Sequence, residues 1–180
     1  MTNQDFFISS WERISKSTAK GFRSLPNDLN KLTTQRHHPK FRTPWELVNH
    51  IGPHAKEMHQ AVTEGRMDLI NEGKFDIHGP TIYKTTEEAA KAVEEYSAKL
   101  IDAVKKCDDN TWESKLTPIY WGPMKIADLP LMQACWMMLN DTIHHIGQLT
   151  SYYRILGTDQ PSLMGPTSEE EDAMMAAAQN

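Results

Sequence analysis

The chain has 180 residues, with 19 Lys and Arg against 24 Asp and Glu and a formal net charge of −5, which is long enough for one domain with a sizeable core. That acidic balance, without any run of Lys or Arg, excludes a phosphate-binding surface as the main business, so nucleic acid is not an expected partner. The two cysteines, Cys107 and Cys135, make neither a disulfide framework nor a CxxC, no stretch reaches membrane-span length, and Met1 to Asp5 lacks a signal-peptide character, so a cytoplasmic protein is expected.

Phe7, Trp11, Ile14, Thr18 and Phe22 recur at helical spacing and predict a first helix over about Gln4–Phe22. Gly21, Ser24 and Pro26 end it, and a short turn of helix is expected around Leu29 and Leu32. Arg36 to Lys40 reads as a polar loop with His37 and His38 facing solvent. Thr43-Pro44-Trp45-Glu46 is a strong helix start: Thr43 caps, Pro44 takes the first helical position and Glu46 can complete a capping box. Leu47, Ile51, His54 and Met58 mark the stripe of this second helix, His50 lies beside it, and His59 is expected to be exposed. Pro53 inside the pattern removes the donor for the Asn49 carbonyl and predicts a kink next to His50. Gly65 to about Lys84 is loop-rich, with Gly73, Gly79 and Pro80. A third helix starts at a second capping box, Thr85 with Glu88, and carries Ala89, Val93, Tyr96, Leu100 and Val104 inward as far as Asp108. Thr111 to Lys125 is a long aromatic connection, of the kind that often borders a site.

The longest periodic segment runs from about Leu129 to Leu156, with Asp128 as the expected cap, Pro130 in the first turn and Gly157 closing the end. Its clearly wettable arc holds Gln133, Asn140, His144, Ser151 and Arg154. Asp141, His145, Gln148 and Tyr152 fall on one narrow line whose surroundings look buried, and unpaired burial of such groups costs several kcal/mol. Strand-like alternation is absent, so the expected fold is all-α: a four-helix bundle with long connections, one domain over 1–180, no sheet of three or more strands, and a tail that frays from about 169.

Bundles of this kind build metal sites from side chains on facing helices. Asp141 and His145, at i and i+4, can supply two ligands to one side of an ion, and His50 is the best third. His54 is the runner-up for that place, and His144 is the runner-up on the last helix, rotated toward the wet arc. Two imidazoles and a carboxylate suit one divalent ion, zinc foremost, with nickel or non-haem iron as alternatives.

At these residues the chain resembles the DinB/YfiT-like superfamily of metalloproteins. Thr43 to His50 resembles the family's second-helix motif, whose closing His is a metal ligand. Asn140 to Leu149 resembles its signature helix, commonly Asn-His-x-x-His-His-Arg-Gly-Gln-Leu. His38 to Thr43, Tyr152 to Gly157 and Pro161 to Pro166 also match, so the resemblance spans most of the chain. It implies the ligands His50, Asp141 and His145. Two positions depart from the pattern: Asp141 stands where the family usually has His, and Ile146 where it has Arg.

The resemblance implies a small-molecule substrate and, in one branch, a low-molecular-weight thiol such as bacillithiol or mycothiol. Three functions follow: a metal-dependent thiol S-transferase acting on small electrophiles, a metal-dependent hydrolase, or a non-catalytic metal-binding or interaction bundle. No catalytic group is expected beyond metal-bound water or thiol. Gln148 is expected to orient a ligand or substrate, and Trp121, Met138 and Tyr152 to line the pocket or belong to the core. A homodimer is compatible with all three.

Overall fold

The computed structural model describes residues 1–69 and 82–178. Gly73, Gly79 and Pro80 of the expected loop-rich segment lie outside those residues. Among the described residues the long elements are α1 (Asn3–Ser24), the pair α3 (Pro44–Ile51) and α4 (His54–Glu64), α5 (Thr86–Lys106) and α7 (Leu131–Leu156); α2 (Leu29–Thr34), α6 (Asp109–Ser114) and α8 (Ser168–Ala178) are shorter. α1 and α4 each pack against both α5 and α7, which closes a four-helix bundle. Its core holds Phe7, Trp11, Ile14 and Phe22 of α1, Val48 and Met58 of the broken helix, Leu100 and Val104 of α5, and Leu149 and Tyr153 of α7. Trp11 brings a polar atom inside and satisfies it by donating from Nε1 to Ser97 Oγ at 3.1 Å.

Local chemistry explains where the helices begin and end. Thr43 accepts from the Glu46 amide while the Glu46 carboxylate accepts from the Thr43 amide, so the expected capping box is closed with Pro44 inside it. α1 starts one residue earlier than expected because Thr2 and Asp5 form another such box. Thr85 caps α5 as expected, but Glu88 turns its carboxylate to the Lys84 amide, 2.7 Å away, in place of the Thr85 amide. Gly157 ends α7 in the left-handed region at φ 76, where a side chain would be strained.

The connection before α7 departs from expectation. Leu116–Trp121 is a strand, β2, which pairs antiparallel with β3 (Met124–Pro130) and parallel with the two-residue β1 (Met67–Asp68), giving a three-stranded sheet in the order β1-β2-β3. The expectation of no such sheet is therefore corrected. The inward residues of β2 are Thr117 and Ile119, separated by Pro118, so the alternation is real but not apolar enough to read. Pro118 is tolerated because β1 covers only Ile119 and Tyr120. Ile126 is an extra residue between the pairs Ile119–Ala127 and Tyr120–Lys125, a bulge that interrupts the pattern of β3. Asp128, expected to cap α7, lies in β3 opposite Pro118 and pairs with Lys125 at 2.6 Å; Pro130 takes the cap position without a side-chain bond.

The segment after Gly157 lies on the bundle, with Leu163 buried and its carbonyl accepting from Ser17 Oγ. Ser168–Ala178, expected to fray, is helical with no buried residue. No helix of the described residues is long and apolar enough to cross a membrane.

Candidate metal centre

Helix α3 ends at Ile51 and α4 begins at His54, with Gly52 and Pro53 between them keeping right-handed helical dihedrals. The interruption falls where Pro53 was expected to kink the helix. Gly52 has a second reason to be there: a Cβ on it would stand 2.6 Å from the Tyr83 ring and 2.8 Å from the Val48 carbonyl. His50 and His54 are thus set one turn apart on either side of the break, and both face Asp141 of α7.

One donor atom from each of His50, His54 and Asp141 lies within 4.8 Å of the others. His50 Nε2 donates to Asp141 Oδ2 at 3.0 Å, and His54 Nε2 stands 3.5 Å from the same oxygen. His145 approaches the other carboxylate oxygen, its Nε2 3.5 Å from Oδ1, with its ring edge-on to that of His50 at 4.5 Å between centroids. Three imidazoles therefore surround one carboxylate. The expected ligands His50, Asp141 and His145 are brought together, and His54, the runner-up, joins them from the buried side.

The hydrogen bonds behind the rings decide what faces inward. Thr142 Oγ1 donates to the Met138 carbonyl at 2.8 Å, as a helix-interior threonine commonly does. Its proton being committed, Thr142 Oγ1 accepts from His54 Nδ1 at 2.8 Å. His54 is 1% exposed, and burial first, then the field of His50, push its pKa down to about 3. At neutral pH it is a neutral ring protonated on Nδ1, so its Nε2 presents a lone pair to the Asp141 carboxylate. His145 is held in the same sense, with Nδ1 donating to Gln148 Oε1 at 2.8 Å, while Gln148 Nε2 donates to His144 Nε2 at 3.0 Å. Burial also lowers His50, against the hydrogen bond to Asp141. For Asp141 burial works upward, but the interactions with His145 and His50 outweigh it and hold the acid well below the usual carboxylate range.

A lone pair on His54 aimed at an ionised carboxylate 3.5 Å away, with no proton between them, is repulsive unless a cation lies there. Neutral imidazoles and an ionised carboxylate are also the protonation states that a divalent ion requires. The donor set thus fits such an ion on its own chemistry.

Beside the centre runs a cleft of about 240 Å³, lined among others by His37, Lys40, Arg42, His145, Gln148 and Tyr152. The Tyr152 hydroxyl donates to the Arg42 carbonyl at 2.7 Å and accepts from the His37 amide. On α4, Glu57 is 3% exposed and its Oε2 has no hydrogen-bond partner among the described residues. Burial first, then the charge of Asp141, raise its pKa well above the ordinary value.

The model of the DinB family matches residues 1–176. The chain belongs to the DinB family. A DinB-like protein of Bacillus subtilis has a similar structure at a TM-score of 0.62 and 14% identity, covering 89% of this chain and 99% of its own. A DinB-like protein of Bacillus cereus follows at 0.61 and 22% identity, covering 86% and 93%. A search of curated proteins returns no match. At these identities the structures show that the chain has the DinB fold, and the family match adds the membership.

Within this DinB fold the remaining expected residues take clear places. Gln148 accepts from His145 Nδ1, and His144 is exposed and hydrogen-bonded to Gln148. Tyr152 lines the cleft, Met138 is a core side chain whose carbonyl anchors Thr142, and Trp121 pairs with Met124 at the end of the β2–β3 hairpin. His38 and His37 face solvent, the latter with its Nε2 2.7 Å from Ser151 Oγ, and His59 is only half-buried. Three residues of interest escaped the sequence reading: Thr142, Arg42 and Glu57. For Glu57 a signal existed, since seven residues after His50 and three after His54 it shares their helix face.

Proposed function

We propose that this DinB-family chain is a metal-dependent enzyme whose divalent ion is held by His50, His54 and Asp141, with His145 as a further donor. The observation that carries the reading is the His54 lone pair facing the ionised Asp141 across 3.5 Å. Zinc suits this nitrogen-rich set with one carboxylate, and nickel or iron would also be accepted. When bound, such an ion lowers the pKa of a thiol or water beside it and so supplies a nucleophile near neutral pH.

The protein's own residues prepare that chemistry. Thr142 and Gln148 fix which nitrogen of His54 and of His145 carries the proton, so no proton must be expelled from His54 on loading. The bundle side of the centre is closed by the buried His54, while His50 and Asp141 remain partly exposed. Glu57, a buried acid whose pKa burial raises, stands behind the centre in the field of Asp141. Neither cysteine belongs to the centre: Cys135 is buried elsewhere in α7 and Cys107 follows α5. A thiol-dependent reaction would therefore use a small thiol from solution, which we favour as the co-substrate, with an electrophile of low mass as its acceptor.

Element analysis of protein purified without added metal, followed by turnover assays with small thiols and electrophiles, tests this reading. Expected is about one transition-metal ion per chain and thiol-dependent turnover lost on chelation. Metal-dependent turnover with water alone would make the protein a hydrolase, and bound metal with no turnover would leave a binding bundle. A metal-free chain that takes up none on titration would overturn the proposal.

A further inference from the structure

The cleft beside the centre carries an unusual charge for this acidic chain. Lys40 and Arg42 both line it, and it reaches the centre through His145, whose Nε2 is 3.5 Å from Asp141. The Arg42 main chain is fixed at both ends. Its carbonyl accepts from the buried Tyr152 hydroxyl, and the next residue, Thr43, is the N-cap of α3. The side chain is only partly exposed, yet its guanidinium makes no hydrogen bond or ion pair among the described residues. The two carboxylates whose fields reach it are Asp141 and Glu46. Both are engaged elsewhere: Asp141 by three imidazoles, and Glu46 by Arg36 at 2.8 Å and the Thr43 amide at 2.7 Å. A partly buried arginine without its own anion is a site waiting for one, since its planar fork matches a carboxylate with two parallel hydrogen bonds.

We propose that Arg42, assisted by Lys40, recognises a carboxylate group, and that the small molecule drawn to this centre is a carboxylic acid. The inference deepens the proposed function by naming the chemical class of its substrate or co-substrate. A cleft of about 240 Å³ suits a small acid. Phe41, which lines the same cleft and is 56% exposed, offers an apolar face for the carbon skeleton of that acid. The acid would place its carboxylate on Arg42 and its remaining atoms toward His145 and the metal donors.

The test is calorimetric titration of succinate, with succinamide as the uncharged analogue and inorganic phosphate as a second anion. Each is run on the protein with and without divalent metal, and metal content is measured alongside. Succinate should bind more tightly than succinamide and phosphate in both forms. Arg42→Gln should weaken succinate about tenfold or more, the scale for removing one partner of a charged hydrogen-bonded pair, without changing metal content. Arg42→Lys should recover part of the loss, and the preference should shrink as salt is raised. Equal binding of succinate and succinamide by the wild type, or succinate binding untouched in a folded Arg42→Gln, overturns the carboxylate site. Tighter phosphate than succinate overturns the assignment of the ligand class. Should Arg42→Gln not fold, the wild-type comparison and Arg42→Lys decide. A protein that takes no metal but still prefers succinate through Arg42 refutes the metal reading alone; a metal-loaded protein without that preference refutes only the inference made here.

Discussion

His54 and Thr142 form one hydrogen-bonded relay: the imidazole Nδ1–H donates to the threonine hydroxyl at 2.8 Å, and the hydroxyl donates to the Met138 carbonyl at the same distance. Because a hydroxyl has a single proton, the direction of the whole relay is determined, and with it the face that His54 shows to Asp141. Thr142→Val keeps the volume and removes the acceptor. Metal affinity should fall about 10–100-fold, as for other residues that orient a metal-binding histidine. Competition against a chelator of known affinity checks this, and unchanged affinity would show that the ring is oriented by packing alone.

The four donors are not equivalent. His54 is enclosed, while His145 is held from outside by the exposed Gln148. His50→Ala, His54→Ala and Asp141→Asn should each abolish stoichiometric metal, whereas His145→Ala should retain it with weakened affinity. His144→Gln should leave metal content unchanged, since among the described residues His144 is hydrogen-bonded to Gln148 and edge-on to the neighbouring ring, with no contact to Asp141 or His50 among its bonds. Element analysis of purified variants separates these outcomes. Loss of metal in His144→Gln would mean that the wrong histidine of the pair was assigned.

Two buried titrating groups make opposing contributions to stability in the metal-free protein. His54 has its folded pKa pushed from 6.5 down to about 3. Between those values the unfolded chain binds more protons, so stability rises with pH across that window. Glu57 has its folded pKa raised well above 4.5. From 4.5 upward the folded chain binds more protons, so this contribution is lost as pH rises. The two slopes act against each other between about pH 4.5 and 6.5, each up to about 1.4 kcal/mol per pH unit. Glu57→Gln should therefore expose a rise of stability with pH in that window and gain most over the wild type above it. Denaturant midpoints measured across pH in the presence of a chelator check the signs; a Glu57→Gln profile parallel to the wild type would show that Glu57 ionises normally.

The bundle was legible in the sequence because its helices announce themselves by local chemistry: Thr43, Pro44 and Glu46 close a box within four residues, and Gly157 needs a left-handed turn. The sheet was not, because Pro118 and the extra Ile126 break the alternation that would have marked β2 and β3, and their pairing is tertiary. The same division runs through the site. Asp141 and His145 are legible as an i, i+4 pair, but their partners depend on how α3 and α4 meet α7. Thr142 makes the ordinary bond to the residue four before it, and nothing local says that His54 will use its free lone pairs. Arg42 has no ion pair among the described residues while Glu46 pairs with Arg36, a choice that spacing alone does not decide.

Gly52 and Gly147 both lie close in sequence to metal-binding candidates, and the same substitution at the two should have opposite signs. Gly52 sits at the break between His50 and His54, where an added Cβ would stand 2.6 Å from the Tyr83 ring and 2.8 Å from the Val48 carbonyl. Tyr83 is itself pinned, its amide donating to Asn49 Oδ1 at 3.0 Å, and the backbone carbonyl cannot swing away without opening the last turn of α3. Gly52→Ala should therefore cost about 1–3 kcal/mol, the range for overpacked sites. Metal affinity should fall with it, because the strain is relieved by moving His50 against His54. Gly147 lies inside α7, two residues beyond His145, with nothing within 4 Å of an added Cβ. Gly147→Ala removes backbone freedom from the unfolded chain and should stabilise by about 0.5–1 kcal/mol while leaving metal binding intact. Thermal midpoints of the two variants, with chelator competition on each, make the comparison. A Gly52→Ala protein as stable as the wild type would mean that the Tyr83 ring is free to withdraw, and the contact between Tyr83 and the break would lose its role in setting the His50–His54 geometry.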